Sequence, residues 1–121
     1  MFKPGDVVLG SFVTENGVIK HYSVVLTGNI EGAMLVYTTS LKSHSSAAQV
    51  FTPEDMKLAG WTKPCRWDAS SVSLVPNEVI AKVGRISSKS LAAITRDFTR
   101  AIQQRSVIAL TLTKEGDIVS V

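Results

Sequence analysis

One long segment of this 121-residue chain, residues 88–105, repeats its apolar residues at helical spacing. The residues that recur every three or four positions are Leu91, Ile94, Phe98, Ala101 and Ile102. Such a stripe is typical of a helix that packs on one side against the rest of a domain. Because it is the one strong helical signal, the chain lacks the strand–helix alternation of a parallel sheet, and a dinucleotide-binding fold is disfavoured.

Most of the remaining chain favours short β-strands. Stretches rich in β-branched and aromatic residues cover 6–13, 18–27, 33–39, 61–68, 72–74 and 79–86. Asn16-Gly17 lies between the first two stretches, and both residue types tolerate positive φ. We therefore expect the chain to begin with a tight β-hairpin.

Shorter signals complete the fold prediction. Thr52 followed by Pro53 predicts the start of a helical turn, and the serine-rich stretch 40–48 predicts a loop. Residues 107–113 and 117–121 alternate around a turn and predict a hairpin. Together the signals predict a mainly β domain: a small, partly open antiparallel barrel with a helix from the C-terminal half packed against it and an added C-terminal hairpin.

Length and composition restrict the class of protein. A chain of 121 residues fits one domain, and the net charge of +3 is a mild basic bias that suits a polyanionic partner. The single cysteine, Cys65, rules out a disulfide framework, provides too few ligands for a structural zinc site and favours a cytoplasmic location. No apolar run is long enough to span a membrane, and residues 1–6 do not resemble a secretory signal. No nucleotide-binding motif of the GxGxxG or Walker type is present, and we expect no cofactor.

The triplet Arg66-Trp67-Asp68 is the strongest candidate for chemistry. In an extended strand Trp67 points inward, and Arg66 and Asp68 stand together on the opposite face. A carboxylate that moves a proton and a cation that holds a phosphate are what cleavage of a phosphodiester requires. Taken alone, the same two residues are most often an ordinary surface ion pair, so the triplet needs support from the rest of the chain.

Five short motifs occur in a fixed order before and up to the predicted helix. They cover residues 4–9, 21–27, 36–40, 65–68 and 82–87, and the last three contain Thr38-Thr39-Ser40, Arg66-x-Asp68 and a Lys-x-Gly-x-Ile-Ser sequence. In this order the motifs resemble the MazF/PemK family of toxin endoribonucleases, the toxic halves of bacterial toxin–antitoxin pairs. The resemblance covers residues 1–105 and leaves 106–121 as an extension of a single 1–121 domain.

The resemblance implies an SH3-like/PemK-like barrel that cuts single-stranded RNA without a metal. In this family the ribose 2′-hydroxyl attacks the neighbouring phosphorus, which leaves a 2′,3′-cyclic phosphate and a free 5′-hydroxyl. By resemblance Asp68 is the base, and Arg66 stabilises the charge on the phosphorane. The resemblance also implies a cytoplasmic homodimer that is neutralised by a cognate antitoxin.

One family position differs in this chain. Where the family has Arg-Pro, this sequence has His21-Tyr22. Histidine titrates near neutral pH, so His21 is a candidate acid or base that replaces the arginine, although a half-exposed strand histidine without a catalytic task is the alternative. The resemblance assigns RNA contacts to the side chains of Lys20, Thr38, Thr39 and Ser40; ordinary edge-strand residues are the alternative for the hydroxyl-bearing ones.

Two other classes of function remain open at this stage. A barrel that has lost its arginine could serve as a nucleic-acid or protein-binding module, and a structural role in a phage or mobile element is a third possibility. The position of His21 discriminates between the first two. Hydrogen-bond reach of Arg66 and Asp68 favours an enzyme, whereas a side chain that points away favours a binding module.

Overall fold

The computed structural model describes residues 1–40 and 50–121. The elements in chain order are β1 (Asp6–Thr14), β2 (Gly17–Gly28), β3 (Gly32–Ser40), α1 (Pro53–Ala59), β4 (Cys65–Pro76), β5 (Ile80–Arg85), α2 (Ser88–Gln103), β6 (Ile108–Leu112) and β7 (Ile118–Ser120). A single 3₁₀ turn, Asn77–Val79, joins β4 to β5. The mainly β prediction is confirmed, as is the C-terminal hairpin, whereas the loop predicted after Ser40 lies outside the described residues.

The seven strands form one sheet in the order β5-β1-β2-β3-β4-β6-β7. All neighbouring strands are antiparallel except β4 and β6. That parallel pair follows from α2, because the helix carries the chain back along the sheet before β6 begins. The sequence did not indicate this pair, since the helix is followed by one short strand rather than by a repeated strand–helix pattern.

The β1–β2 connection is a tight hairpin, as predicted. Thr14 pairs with Gly17, so Glu15 and Asn16 form the turn, and Gly17 takes up the positive φ of 135°. The Thr14 hydroxyl donates a hydrogen bond of 2.8 Å to the Gly17 carbonyl. The turn therefore lies one residue earlier than the Asn16-Gly17 pair predicted. The two strands pair without interruption up to Thr14 and Gly17, which flank the turn.

The two faces of the sheet carry separate apolar clusters. The outer face, which α2 covers, contains Val7, Val24, Val36, Trp67 and Ile94 among others. Alternate residues of the same strands build the inner cluster, which contains Val8, Val25, Leu35, Val75 and Leu110 among others. Strands that bury both faces in this way are rich in valine and leucine on consecutive positions, as β1 to β3 are here.

A buried serine shows that the sheet curls on itself. The Ser73 hydroxyl accepts a 2.9 Å hydrogen bond from the Val13 N–H and donates one of 3.2 Å to the Val13 carbonyl. Ser73 belongs to β4 and Val13 to β1, and two strands separate these in the sheet. The inner face is therefore concave, and the sheet approaches a barrel without closing, as the sequence predicted.

Helix α2 packs on the outer face through most of its predicted stripe. Ile94 is fully buried and Ala101 nearly so, and Leu91 and Phe98 pack against the same cluster. Ile102 is 52% exposed, which corrects its place in the stripe. A residue that directly follows Ala101 is rotated about 100° around the helix, so Ile102 falls on the flank of the apolar face. No helix among the described residues is both long and apolar enough to cross a membrane.

A buried carboxylate joins the beginnings of the two helices. Asp55 is completely shielded from solvent and accepts hydrogen bonds from the Thr52 N–H at 3.1 Å and the Ser87 N–H at 2.7 Å. Its second oxygen also accepts from the Ser90 hydroxyl at 2.5 Å. Thr52 and Ser87 are the N-caps of α1 and α2, so one side chain fixes both helix starts relative to each other.

Candidate active site

The Arg66-Trp67-Asp68 triplet adopts the alternation that the sequence predicted. Trp67 is buried on the outer-face cluster, and its neighbours are half-buried on the other face of β4. Arg66 lies opposite Thr39 of β3, and Asp68 lies opposite Tyr37. Because directly opposed residues share a face of the sheet, Arg66 and Asp68 extend the concave face at one end of the barrel.

Arg66 and Asp68 line a cleft at an open stretch of the β4 edge. Strand β6 pairs with β4 from Ser71 onward, and before that stretch Val50 forms one isolated bridge with Arg66. The edge between these two pairings borders a cleft of about 340 Å³. The cleft is lined by Arg66, Trp67, Asp68, Ala69 and Ser70 from β4 and by Asp97, Arg100, Ala101, Gln104 and Ser106.

One carboxylate oxygen of Asp68 is hydrogen-bonded within the described part of the chain, and the other is not. Its Oδ1 accepts hydrogen bonds from the Ser70 N–H at 3.0 Å and from the Ser70 hydroxyl at 2.5 Å. No described residue donates to its Oδ2. One carboxylate oxygen is thus used to fix the orientation of the side chain, and the other is available to accept a proton or a hydrogen bond from a ligand.

Arg66 and Asp68 share the cleft without forming an ion pair. Within residues 1–40 and 50–121, Lys82 and Asp6 form the one ion pair, at 3.2 Å. The Nε of Arg66 is buried and has no hydrogen-bond partner in the described part of the chain. The surface ion pair considered from the sequence is therefore not what the structure contains. A half-buried guanidinium that forms no ion pair with a described residue is suited instead to a ligand that brings acceptor oxygens.

Helix α2 supplies a wall of the cleft that the sequence interpretation missed. The Trp67 indole N–H donates a 3.0 Å hydrogen bond to Asp97 Oδ2, which ties α2 to the middle of the triplet. Arg100 follows Asp97 by three residues, Gln104 follows Arg100 by four, and both line the same cleft. That spacing was visible in the sequence as a polar row beside the apolar stripe, but nothing in the sequence indicated which strand the row faces.

His21 lies outside this cleft. Its Nε2 is hydrogen-bonded to the Thr38 carbonyl, and its ring stacks on Tyr37 with 5.1 Å between ring centroids and 13° between planes. A carbonyl can only accept, so Nε2 carries the proton and Nδ1 is the basic nitrogen. The structure therefore places Arg66 and Asp68 along one cleft, and His21 is not among the residues that line it. Tyr37, which lies opposite Asp68 on the neighbouring strand, is the nearest structural link between them.

The residues expected to contact RNA are distributed over both faces of the sheet. Thr38 is 1% exposed and its hydroxyl donates a 2.7 Å hydrogen bond to the Tyr22 carbonyl, so its donor is used and the expectation for it is corrected. Thr39 lies opposite Arg66 and is half-buried beside the cleft. Ser40 lies opposite Cys65, and Lys20 is exposed on β2 opposite Ser11. Of the four residues, Thr39 is the one on the Arg66 face.

Cys65 directly precedes the triplet but has the environment of a structural thiol. Burial raises the pKa of Cys65, and its Sγ donates to the Lys63 carbonyl at 3.4 Å. A raised pKa disfavours the thiolate, which is the nucleophilic form. In the described residues no group of three or more His, Cys, Asp or Glu side chains is arranged to hold a metal ion.

A larger cavity, of about 560 Å³, lies at the other end of β3 and β4. Its lining is mainly apolar and includes Gly32, Met34, Leu74 and Pro76. None of the candidate catalytic residues lines it. The smaller cleft has two arginines, Arg66 and Arg100, and two aspartates, Asp68 and Asp97, so size does not decide which of the two is the candidate active site.

Comparison with models of protein families and with curated proteins finds no match for this sequence.

Proposed function

We propose that this protein is an endoribonuclease that cuts single-stranded RNA without a metal ion. The observation that supports the proposal most is the cleft at the β4 edge. Among the described residues, it presents a carboxylate with one oxygen that accepts no hydrogen bond, Asp68, together with a guanidinium that forms no ion pair, Arg66. A base and an unpaired cation in one open cleft are the groups that transfer of a phosphoryl group to a neighbouring hydroxyl requires.

In the proposed reaction the ribose 2′-oxygen attacks the adjacent phosphorus. Asp68 Oδ2 takes the proton of the 2′-hydroxyl as the O2′–P bond forms. Arg66 stabilises the additional negative charge on the phosphoryl oxygens, and it does not act as the acid because a guanidinium scarcely releases a proton. The P–O5′ bond then breaks, and water in the open cleft protonates the 5′-oxygen. The products are a 2′,3′-cyclic phosphate and a 5′-hydroxyl.

Single-stranded RNA suits the dimensions of the cleft. Its volume of about 340 Å³ is near the lower limit of small-molecule sites, which is enough for a short piece of one strand. Proteins that recognise RNA most often contact unpaired nucleotides, whose backbone can adopt the geometry that a narrow site requires. A net charge of +3 supports association with such a polyanion.

The partners belong to the same proposal. A cognate antitoxin that covers the cleft, a homodimeric state and a cytoplasmic location follow from the resemblance to the MazF/PemK family. Growth arrest on expression of the protein alone, and its relief by Asp68→Ala, is the expected cellular result. Equal toxicity of the variant, or no toxicity of the wild type, contradicts it.

The test is incubation with a long unstructured RNA in EDTA, followed by mapping of the cut positions and of the chemistry of both ends. We expect discrete cuts with 2′,3′-cyclic phosphate and 5′-hydroxyl ends. Asp117→Ala is the matched control for Asp68→Ala, because Asp117 is an exposed aspartate in the β6–β7 turn and does not line the cleft. RNA that stays intact at high protein concentration contradicts the proposal.

A binding module is the second candidate, and the position of His21 favours it. The arginine that the family carries at this position is absent, and His21 does not replace it inside the cleft. In this alternative the cleft binds a single strand through its cations and Asp68 contributes no chemistry. Retention of an RNA on the protein without cleavage, with equal affinity for wild type and Asp68→Asn, is the result that this alternative predicts.

A further inference from the structure

We infer that Arg100 of α2 is the second cation of the cleft and binds the RNA backbone from the wall opposite Arg66. This inference rests on the proposed function for the identity of the ligand as single-stranded RNA. Arg100 is a binding and positioning residue in this account. The proton transfer remains with Asp68, and Arg66 remains the cation beside it.

The position of Arg100 is fixed by contacts of its own helix. Asp97 Oδ2 accepts the 3.0 Å hydrogen bond from the buried Trp67 indole, and Trp67 lies between Arg66 and Asp68 in the chain. Ala101 is buried against the sheet one residue after Arg100. Helix α2 is therefore held on both sides of Arg100, and the side chain borders the same cleft as the triplet.

Arg100 is exposed at the cleft, which Arg66 and the two aspartates Asp68 and Asp97 also line. Asp97 is its nearest carboxylate by helical spacing, and Asp97 Oδ2 accepts the hydrogen bond of the Trp67 indole. Among the described residues no carboxylate forms an ion pair with Arg100 or with Arg66. Two guanidiniums thus line one small cleft without a bound acid. The non-bridging oxygens of a phosphodiester match the parallel donors of a guanidinium, so a nucleic-acid backbone is the ligand chemistry that fits.

Helix α2 also supplies a matched residue that lacks this environment. Arg96 is exposed on the same helix, one turn before Arg100, and does not line the cleft. Replacement of either arginine by alanine removes the same charge and side chain from α2. A difference between the two variants therefore reports on the cleft rather than on the net charge of the protein.

The experiment is binding of a fluorescein-labelled 2′-O-methyl RNA of mixed sequence, measured by anisotropy at several salt concentrations. This probe has no free 2′-hydroxyl and cannot be cut, so affinity is measured independently of catalysis. We expect Arg100→Ala to weaken binding by about tenfold, which corresponds to one lost hydrogen bond between charged groups. The slope of log affinity against log salt should become shallower by about 0.7, the value for one phosphate contact on a single strand.

Arg96→Ala should bind within about twofold of the wild type, because an exposed charge outside the contact adds little. Arg100→Lys, which keeps the charge, should recover part of the lost affinity. Thermal unfolding of the variants verifies that each is folded during the titration. Equal affinities of Arg100→Ala and Arg96→Ala, or no binding of the probe by the wild type, overturns the inference. Binding that depends on Arg100 while unmodified RNA stays intact supports the inference and contradicts the endoribonuclease instead.

Discussion

Two aspartates of this protein occupy opposite environments. Asp55 is sealed from solvent where α1 and α2 begin, and hydrogen bonds from Thr52, Ser87 and Ser90 satisfy both of its oxygens. Asp68 borders an open cleft, and donors from the single residue Ser70 reach only Oδ1. One carboxylate has its hydrogen-bonding capacity used by the fold, and the other keeps part of it for a ligand.

The contrast separates a carboxylate that the fold uses from one that we propose for catalysis. Burial alone would raise the pKa of Asp55, but the hydrogen bonds from Ser90, Ser87 and Thr52 outweigh it and hold the pKa below 3.8, its ordinary value. Asp55 therefore stabilises the folded state as an anion. Asp68 borders a cleft that Arg66 and Arg100 also line, and in the described part of the chain neither arginine forms an ion pair.

The largest effect on activity after loss of Asp68 itself is expected from Arg66→Gln. Removal of the cation that stabilises the phosphorane should lower the rate of RNA cleavage by about 10²–10³-fold. Arg85→Gln is the control, since Arg85 is exposed on β5 and does not line the cleft. Single-turnover rates with saturating enzyme measure the effect. Equal cleavage rates for Arg66→Gln and Arg85→Gln would show that Arg66 takes no part in the reaction. The surroundings of Asp68 would then differ less from those of Asp55 in function.

Asp55→Asn should affect stability instead. The amide cannot accept all the hydrogen bonds that the carboxylate accepts, so we expect the free energy of unfolding to fall by about 2–4 kcal/mol. Urea denaturation measures the change, with Glu54→Gln, an exposed neighbour on α1, as the control. The folded fraction of Asp55→Asn should cleave RNA at the wild-type rate. A normal stability would show that the two helix starts do not depend on this anion.

The pH dependence of stability gives Asp55 a separate signature. Its pKa is lower in the folded state, so the unfolded chain binds more protons below the ordinary value of 3.8. The stabilisation is complete above that value and is lost as the pH falls through the lowered folded-state pKa. The difference in free energy of unfolding between wild type and Asp55→Asn should thus be constant near neutral pH. It should become smaller only in strong acid. A difference that already narrows near pH 6 would assign the effect to another group.

The smallest effect is expected from Ser70→Ala. This change removes the hydroxyl donor to Asp68 Oδ1 and leaves the backbone donor of residue 70 in place. With one of two orienting bonds lost, worth about 1 kcal/mol, the cleavage rate should fall about fivefold. Ser71→Ala, next in the strand and outside the cleft, serves as the control. A loss as large as that of Arg66→Gln would mean that Ser70 itself contacts the substrate.

Much of the fold was predictable because it depends on local patterns. The β1–β2 hairpin followed from a turn signal between β-branched strands, and α2 followed from its apolar repeat. The burial of Trp67 between two neighbours on the opposite face of the strand followed from strand alternation and is confirmed. These features need no knowledge of what packs against them, since the periods of strands and helices determine which residues share a face.

The candidate site was predictable only on its β4 side. Arg100 reaches the cleft because Trp67 and Asp97 bind α2 to the sheet, and this contact joins residues 30 positions apart. The open edge of β4 exists because β6 begins its pairing at Ser71, which no local pattern reveals. The bond between His21 and the Thr38 carbonyl is likewise a tertiary contact, which no local pattern in the sequence indicates.

The central claim is that Asp68 is the general base of the cleft. The most direct measurement is the single-turnover rate of cleavage of a labelled single-stranded RNA in EDTA by wild type and Asp68→Asn, with unfolding curves recorded on the same samples. Asparagine keeps the acceptor for Ser70, so we expect an unchanged unfolding midpoint and a rate about 10²–10⁴-fold lower, the usual contribution of a general base. A folded Asp68→Asn protein that cleaves at the wild-type rate would contradict the claim.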